Sequence, residues 1–73
     1  MNQNNPCYRL YTEPTSDLRA LLAAMDVCIH FRIAFYYSGT RRIVRAESRN
    51  LRKLQGIQAE FREHGLRTHI TWV

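Results

Sequence analysis

A βαββαβ plait, with four antiparallel strands and two helices on one face, is the fold class that this sequence predicts. Three observations predict it. The chain has 73 residues, which is room for one domain. Its apolar residues switch between periods of 2 and 3.6 in the order strand, helix, strand, strand, helix, strand. A Ser38-Gly39 pair stands between two period-2 stretches, where it marks a hairpin. With right-handed crossovers, this order folds as a ferredoxin-like α+β plait with strands in the order 4-1-3-2. A chain this short buries only about 60% of the surface that its unfolded state exposes, so its core is small.

Residues 7–12, CYRLYT, alternate and are rich in aromatics, which predicts a short first strand. If Tyr8 and Leu10 face the core, Arg9 and Tyr11 face outward. Pro14 disfavours helix at Glu13, and Thr15 or Ser16 is placed to cap a first helix. Leu18, Leu21, Leu22 and Met25 then recur at helical spacing, with Asp17 in the first turn, and this helix is expected to end near Asp26. From Val27 the period changes to 2. Ile29, Phe31, Ile33, Phe35 and Tyr37 share one face of a long strand, and Cys28, His30, Arg32, Ala34 and Tyr36 share the other.

After Ser38-Gly39 a returning strand runs to about Glu47. Ser48 or Asn50 caps a second helix, which turns Leu51, Leu54, Ile57 and Phe61 inward. Gly56 costs that helix about 1 kcal/mol relative to Ala, and Gly65 reads as its stop. Residues 66–73, LRTHITWV, alternate again as a last strand, with Arg67 and His69 outward. There is no evident internal repeat. Residues 1–6, MNQNNP, have neither the basic nor the apolar region of a signal peptide, so they are expected to form a flexible tail on a single domain spanning 7–73. Cys7 and Cys28 are too few for a disulfide scaffold, and two Cys with three scattered His supply no metal-ligand pattern. The expectation is a cytoplasmic chain with free thiols, no cofactor, no metal and no membrane partner.

Net charge is +5, and its distribution says more than its total. Arg41, Arg42, Arg45, Arg49, Arg52 and Lys53 stand against the single acid Glu47, while acids and bases cancel in the rest of the chain. A concentrated basic segment on a neutral body points to an anionic partner. A tight turn at Ser38-Gly39 would set Tyr36 opposite Arg41, Phe35 opposite Arg42, Arg32 opposite Arg45 and His30 opposite Glu47. Arg42 then lies at the rim of the helix-covered face. The Arg32–Arg45 pair opposes like charges, a repulsion that a bound anion would relieve.

The open face is therefore expected to carry Arg9, Tyr11, His30, Arg32, Tyr36, Arg41, Arg45, Arg67 and His69. Guanidinium groups for phosphates and flat rings for base stacking are what single-stranded nucleic acid or RNA uses. Arg42, Arg49, Arg52 and Lys53 extend the candidate site, the last three crowding the start of the second helix where free amides also attract phosphate. The plain alternative is a solvated face, since an antiparallel sheet covered on one side exposes polar residues on the other. The third strand, RRIVRAES, lacks the glycine and aromatic signature of RNA-recognition motifs.

No residue set has a catalytic pattern. Cys28 and His30 form a Cys-x-His pair on one expected strand face, and Glu60 stands four residues before His64, which suits a helix-surface pair. The chain is expected to be a non-enzymatic binding module. Strand two lies at a sheet edge, where apolar strands pair with other chains unless covered. This supports a homodimer. It also supports the competing expectation of a protein-binding modulator, of the sort phages encode to inhibit host enzymes or nucleic-acid machines, gripping an acidic protein surface.

Overall fold

The computed structural model describes residues 7–72, so the expectation of an N-terminal tail at 1–6 lies outside the described residues. The elements run in the order β1 (Tyr8–Thr12), α1 (Leu18–His30), β2 (Phe35–Ser38), β3 (Ile43–Ser48), α2 (Leu51–Glu63) and β4 (Thr68–Trp72). The four strands form one antiparallel sheet in the order β2-β3-β1-β4. Helix α1 lies against β2 and β3, and α2 against β1, β3 and β4. This is the ferredoxin-like plait that the order of elements predicts. No helix is long and apolar enough to cross a membrane among the described residues.

Leu10, Val44, Ala46, Leu54, Ile57 and Phe61 are fully or almost fully buried and form the centre of the core. Helix α2 turns inward the residues its period predicts, Leu54, Ile57 and Phe61, and Asn50 caps it by accepting the Lys53 amide at 3.1 Å. Helix α1 differs from expectation in three respects. Its cap is Asp17, which accepts the Ala20 amide at 3.1 Å, rather than Thr15 or Ser16. It buries Ala20, Leu21, Ala24 and Cys28, so Leu18 and Leu22, expected in the core, are 56% and 50% exposed. It also continues past Asp26 to His30, which removes Cys28, Ile29 and His30 from the strand expected to begin at 27.

The reason is that two periods overlap. Leu21, Ala24 and Cys28 continue the helical spacing at i, i+3 and i+7 even while residues 27–37 alternate. The helix wins because it buries Cys28 completely and closes on a full C-terminal motif. The Arg32 amide donates to the Ile29 carbonyl and the Ile33 amide to the Cys28 carbonyl, both at 3.0 Å. That is a Schellman cap with Arg32 in the left-handed position, φ 55°. Arg32 is thus a helix terminator and not an outward strand residue, and the opposition of Arg32 to Arg45 does not exist.

The hairpin also closes differently. Ser38 belongs to β2 and pairs with Ile43, so the connection is the four residues 39–42 rather than a two-residue Ser-Gly turn. Ser38 holds the loop twice, its Oγ accepting from the Arg41 amide at 3.1 Å and its carbonyl from the Arg42 amide at 2.7 Å. Arg42 sits in the left-handed region at φ 59°, off the strand and away from Phe35's expected partnership. Tyr36 pairs with Arg45 instead of Arg41, Phe35 with Ala46 instead of Arg42. The slip is even, so every strand residue keeps its expected face.

Two halves of the chain repeat one another at a spacing of 33 residues. Asp17 and Asn50 cap, Arg32 and Gly65 take the left-handed stop position, and Leu21 and Leu54, Ala24 and Ile57, Cys28 and Phe61 fill equivalent core places. The Leu66 amide reaches the Phe61 carbonyl as Ile33 reaches Cys28. The repeat is one of geometry, since the paired residues mostly differ.

Candidate functional site

The face of the sheet opposite the helices carries one continuous row of side chains. Tyr36 on β2 is registered with Arg45 on β3, Arg45 with Tyr11 on β1, and Tyr11 with His69 on β4. Their neighbours along the strands, Leu10, Thr12, Val44, Ala46 and Thr68, are buried on the covered face, so alternation turns all four outward. Ring, guanidinium, ring and imidazole thus cross the full width of the sheet. The Arg45 guanidinium carbon lies 4.9 Å from the Tyr36 ring centre, a cation–π contact. On the other side the Tyr11 and His69 rings lie 5.4 Å apart, tilted by 33°.

A second row runs beside the first, Glu47–Arg9–Thr71. Here Arg9 Nε donates to Glu47 at 2.9 Å, and His69 Nε2 meets Glu13 at 2.7 Å. Glu47 orients Arg9 and offsets its charge, and Glu13 fixes the His69 ring. Arg41 and Arg45 have no such carboxylate among the described residues, so the free positive charge on this face lies on β3 and on the hairpin loop that leads into it. Two shallow depressions flank Arg45. One is lined by Arg9, Tyr11, Arg41, Ile43, Arg45 and Thr71. The other, towards the sheet edge, is lined by Ala34, Phe35, Tyr36, Arg45 and Glu47. A cationic hollow adjoins an aromatic one.

The structure therefore brings together Arg9, Tyr11, Tyr36, Arg41 and Arg45 of the expected site, with His69. It does not bring the rest. Arg32 and His30 lie at the C-terminal end of α1. Arg42 lines a hollow with Thr15, Leu18 and Tyr37 on the helix side. Arg67 stands with Glu13, Pro14 and Leu66 beyond the end of the sheet. Arg49 precedes α2, and Arg52 and Lys53 lie in its first turn, at the other end of the molecule from the hairpin loop. The basic segment 41–53 is split by β3 into separate surfaces. Glu47, Ile43 and Thr71 face outward as alternation predicts, and the observed register sets Glu47 and Thr71 on either side of Arg9.

The Cys-x-His pair does not form a reactive site. Cys28 faces the core of α1, and burial pushes its thiol from 9.0 up to about 11, while His30 is exposed. No three His, Cys, Asp or Glu side chains stand close enough to hold a metal ion among the described residues. In comparison with known proteins, the chain matches no family model, no curated protein and no solved structure.

Proposed function

We propose that this protein is a non-enzymatic module that binds single-stranded nucleic acid across the open face of its sheet. The observation that carries the reading is the row Tyr36–Arg45–Tyr11–His69, in which rings stand on both sides of the Arg45 guanidinium at the spacing of adjacent strands. Bases stack on Tyr11 and on Tyr36, each ring worth about 1–3 kcal/mol per base. Phosphates enter the hollow among Arg9, Arg41 and Arg45, where Arg41 and Arg45 have no carboxylate partner among the described residues. The Arg9–Glu47 pair holds Arg9 oriented beside that hollow.

Filter binding with mixed-sequence single-stranded RNA and DNA tests this. Log K should fall with log salt by about 0.7 per phosphate neutralised. Arg45→Glu should abolish binding and Tyr11→Ala should weaken it about 10-fold, in keeping with one lost stacking surface. Arg32→Glu, on the helix side, should change it little. Absence of binding at low salt, or equal loss in all three variants, overturns the reading and directs attention to an acidic protein surface as the partner.

A further inference from the structure

We infer that the outer flank of α1 and the free edge of β2 form one interface, and that its occupant is a second copy of this chain. The inference stands apart from nucleic-acid binding. It begins with α1 burying Leu21 and three small residues, Ala20, Ala24 and Cys28, while three large apolar residues stay in water. Leu18, Leu22 and Ile29 are 56%, 50% and 61% exposed, and with half-buried Met25 they form a stripe at spacings of 4, 3 and 4 residues. That is the spacing of a helix-pairing seam.

The stripe lies on the side of α1 away from α2, because Ala23, Asp26, Val27 and His30 line the cleft towards α2 while Leu18 and Leu21 line a hollow with Tyr37 and Gly39. It therefore runs above the free edge of β2. Among the described residues strand β2 has a neighbour on one side only. The Ser38 carbonyl is turned inward to Arg42, so by strand alternation the peptide groups of Phe35 and Tyr37 point to the open edge. One occupant has to satisfy both an apolar helix flank and a row of peptide groups beneath it. A free strand covers only the edge, and a lone helix only the stripe.

A second copy covers both, and the spacings agree. Helix α1 lies over β2 and β3. Adding the partner's β2 at about 4.8 Å therefore brings the two α1 helices to roughly 10 Å, the distance at which helices pack. The stripe reads the same in both directions, so in an antiparallel pair Leu18 meets the partner's Ile29 and Leu22 meets the partner's Met25. Arg19 and Asp26, exposed seven residues apart on the outer side of the stripe, come to flank the partner's Asp26 and the partner's Arg19, although Asp26 also borders the cleft towards α2 with Glu60 and His64. Below, Phe35 exchanges hydrogen bonds with the partner's Tyr37, and Tyr36 stands opposite the partner's Tyr36. The row on the open face then continues unbroken across eight strands.

Sedimentation equilibrium on the full chain, without nucleic acid, tests the inference. The expected mass is twice 8.7 kDa. Leu22→Glu, at an exposed position, should give a folded monomer with an unchanged circular dichroism spectrum. Arg19→Asp and Asp26→Arg should each weaken association several-fold, and the two together should restore it, since the pair meets only between subunits. A folded monomer at all concentrations overturns the interface. So does a dimer that survives Leu22→Glu, or a double charge swap that fails to rescue.

Discussion

Two threonines that face one another across β1 and β4 have opposite roles. Thr12 and Thr68 are registered partners on the covered face, and both are buried. The Thr12 hydroxyl accepts the Val44 amide at 3.0 Å, satisfying a β3 peptide group just where the pairing of β1 with β3 ends. The Thr68 hydroxyl is buried with no partner among the described residues. Replacing Thr12 by Val strands a buried amide and should cost about 1–3 kcal/mol. Thr68→Val removes an unsatisfied hydroxyl from an apolar setting and should be neutral or stabilising by up to about 1 kcal/mol. Urea unfolding of the two variants checks this, and equal destabilisation by both would contradict it. At this scale the sequence is most readable where alternation alone decides. Arg9, Tyr11, Tyr36 and Arg45 all face as a period of 2 requires, because even a slipped register preserves the face. It does not show that Arg45 lies between two tyrosines, since that depends on which residue closes a loop.

Among the elements, helix ends carry the information that sequence conveys least evenly. Both helices end in the same Schellman motif, yet only one announces it with glycine. Gly65 at φ 85° marks the end of α2 plainly, whereas Arg32 holds the equivalent place in α1 and reads as an ordinary strand residue. A left-handed residue with a Cβ costs about 1–2 kcal/mol, partly offset by the extra chain entropy that glycine loses on folding. Arg32→Gly should therefore stabilise the protein by about 0.5–1 kcal/mol. Gly56 is the reverse case. It lies inside α2, exposed, with open space where a Cβ would stand. Gly56→Ala should add about 1 kcal/mol, or some 4–8 °C in Tm for a domain this small. Thermal melts monitored by circular dichroism read both changes, and a fall in Tm for either would refute the assignment of that position.

For the molecule as a whole, the 33-residue repeat shows an unequal division of labour. Equivalent core places hold Ala24 against Ile57 and Cys28 against Phe61, so α2 supplies more buried side-chain volume than α1, which packs close through small side chains besides Leu21. That asymmetry explains why the plait is legible in the sequence while the inward face of α1 is not. The order of periods is a property of the chain, but which face of a helix with two apolar faces turns inward depends on the bulk already supplied by its neighbour. Leu18 and Leu22 have the spacing of core residues, and Phe61 and Ile57 already fill that core. The same asymmetry sets the cost of truncation. A chain of this size rarely has more than about 3–5 kcal/mol of stability from its core. Phe61→Ala, which removes the largest fully buried side chain, should cost about 3–5 kcal/mol and leave the protein unfolded or nearly so without denaturant. Cys28→Ala removes a single sulfur atom from the equivalent place and should leave a folded protein with a lower urea midpoint and the same slope. Adding Gly56→Ala should make the Phe61 variant measurably more folded, because the two changes act on different parts of one helix, on core packing and on backbone freedom. If Cys28→Ala proves as damaging as Phe61→Ala, the core is shared evenly between the helices and the outward stripe of α1 needs another explanation.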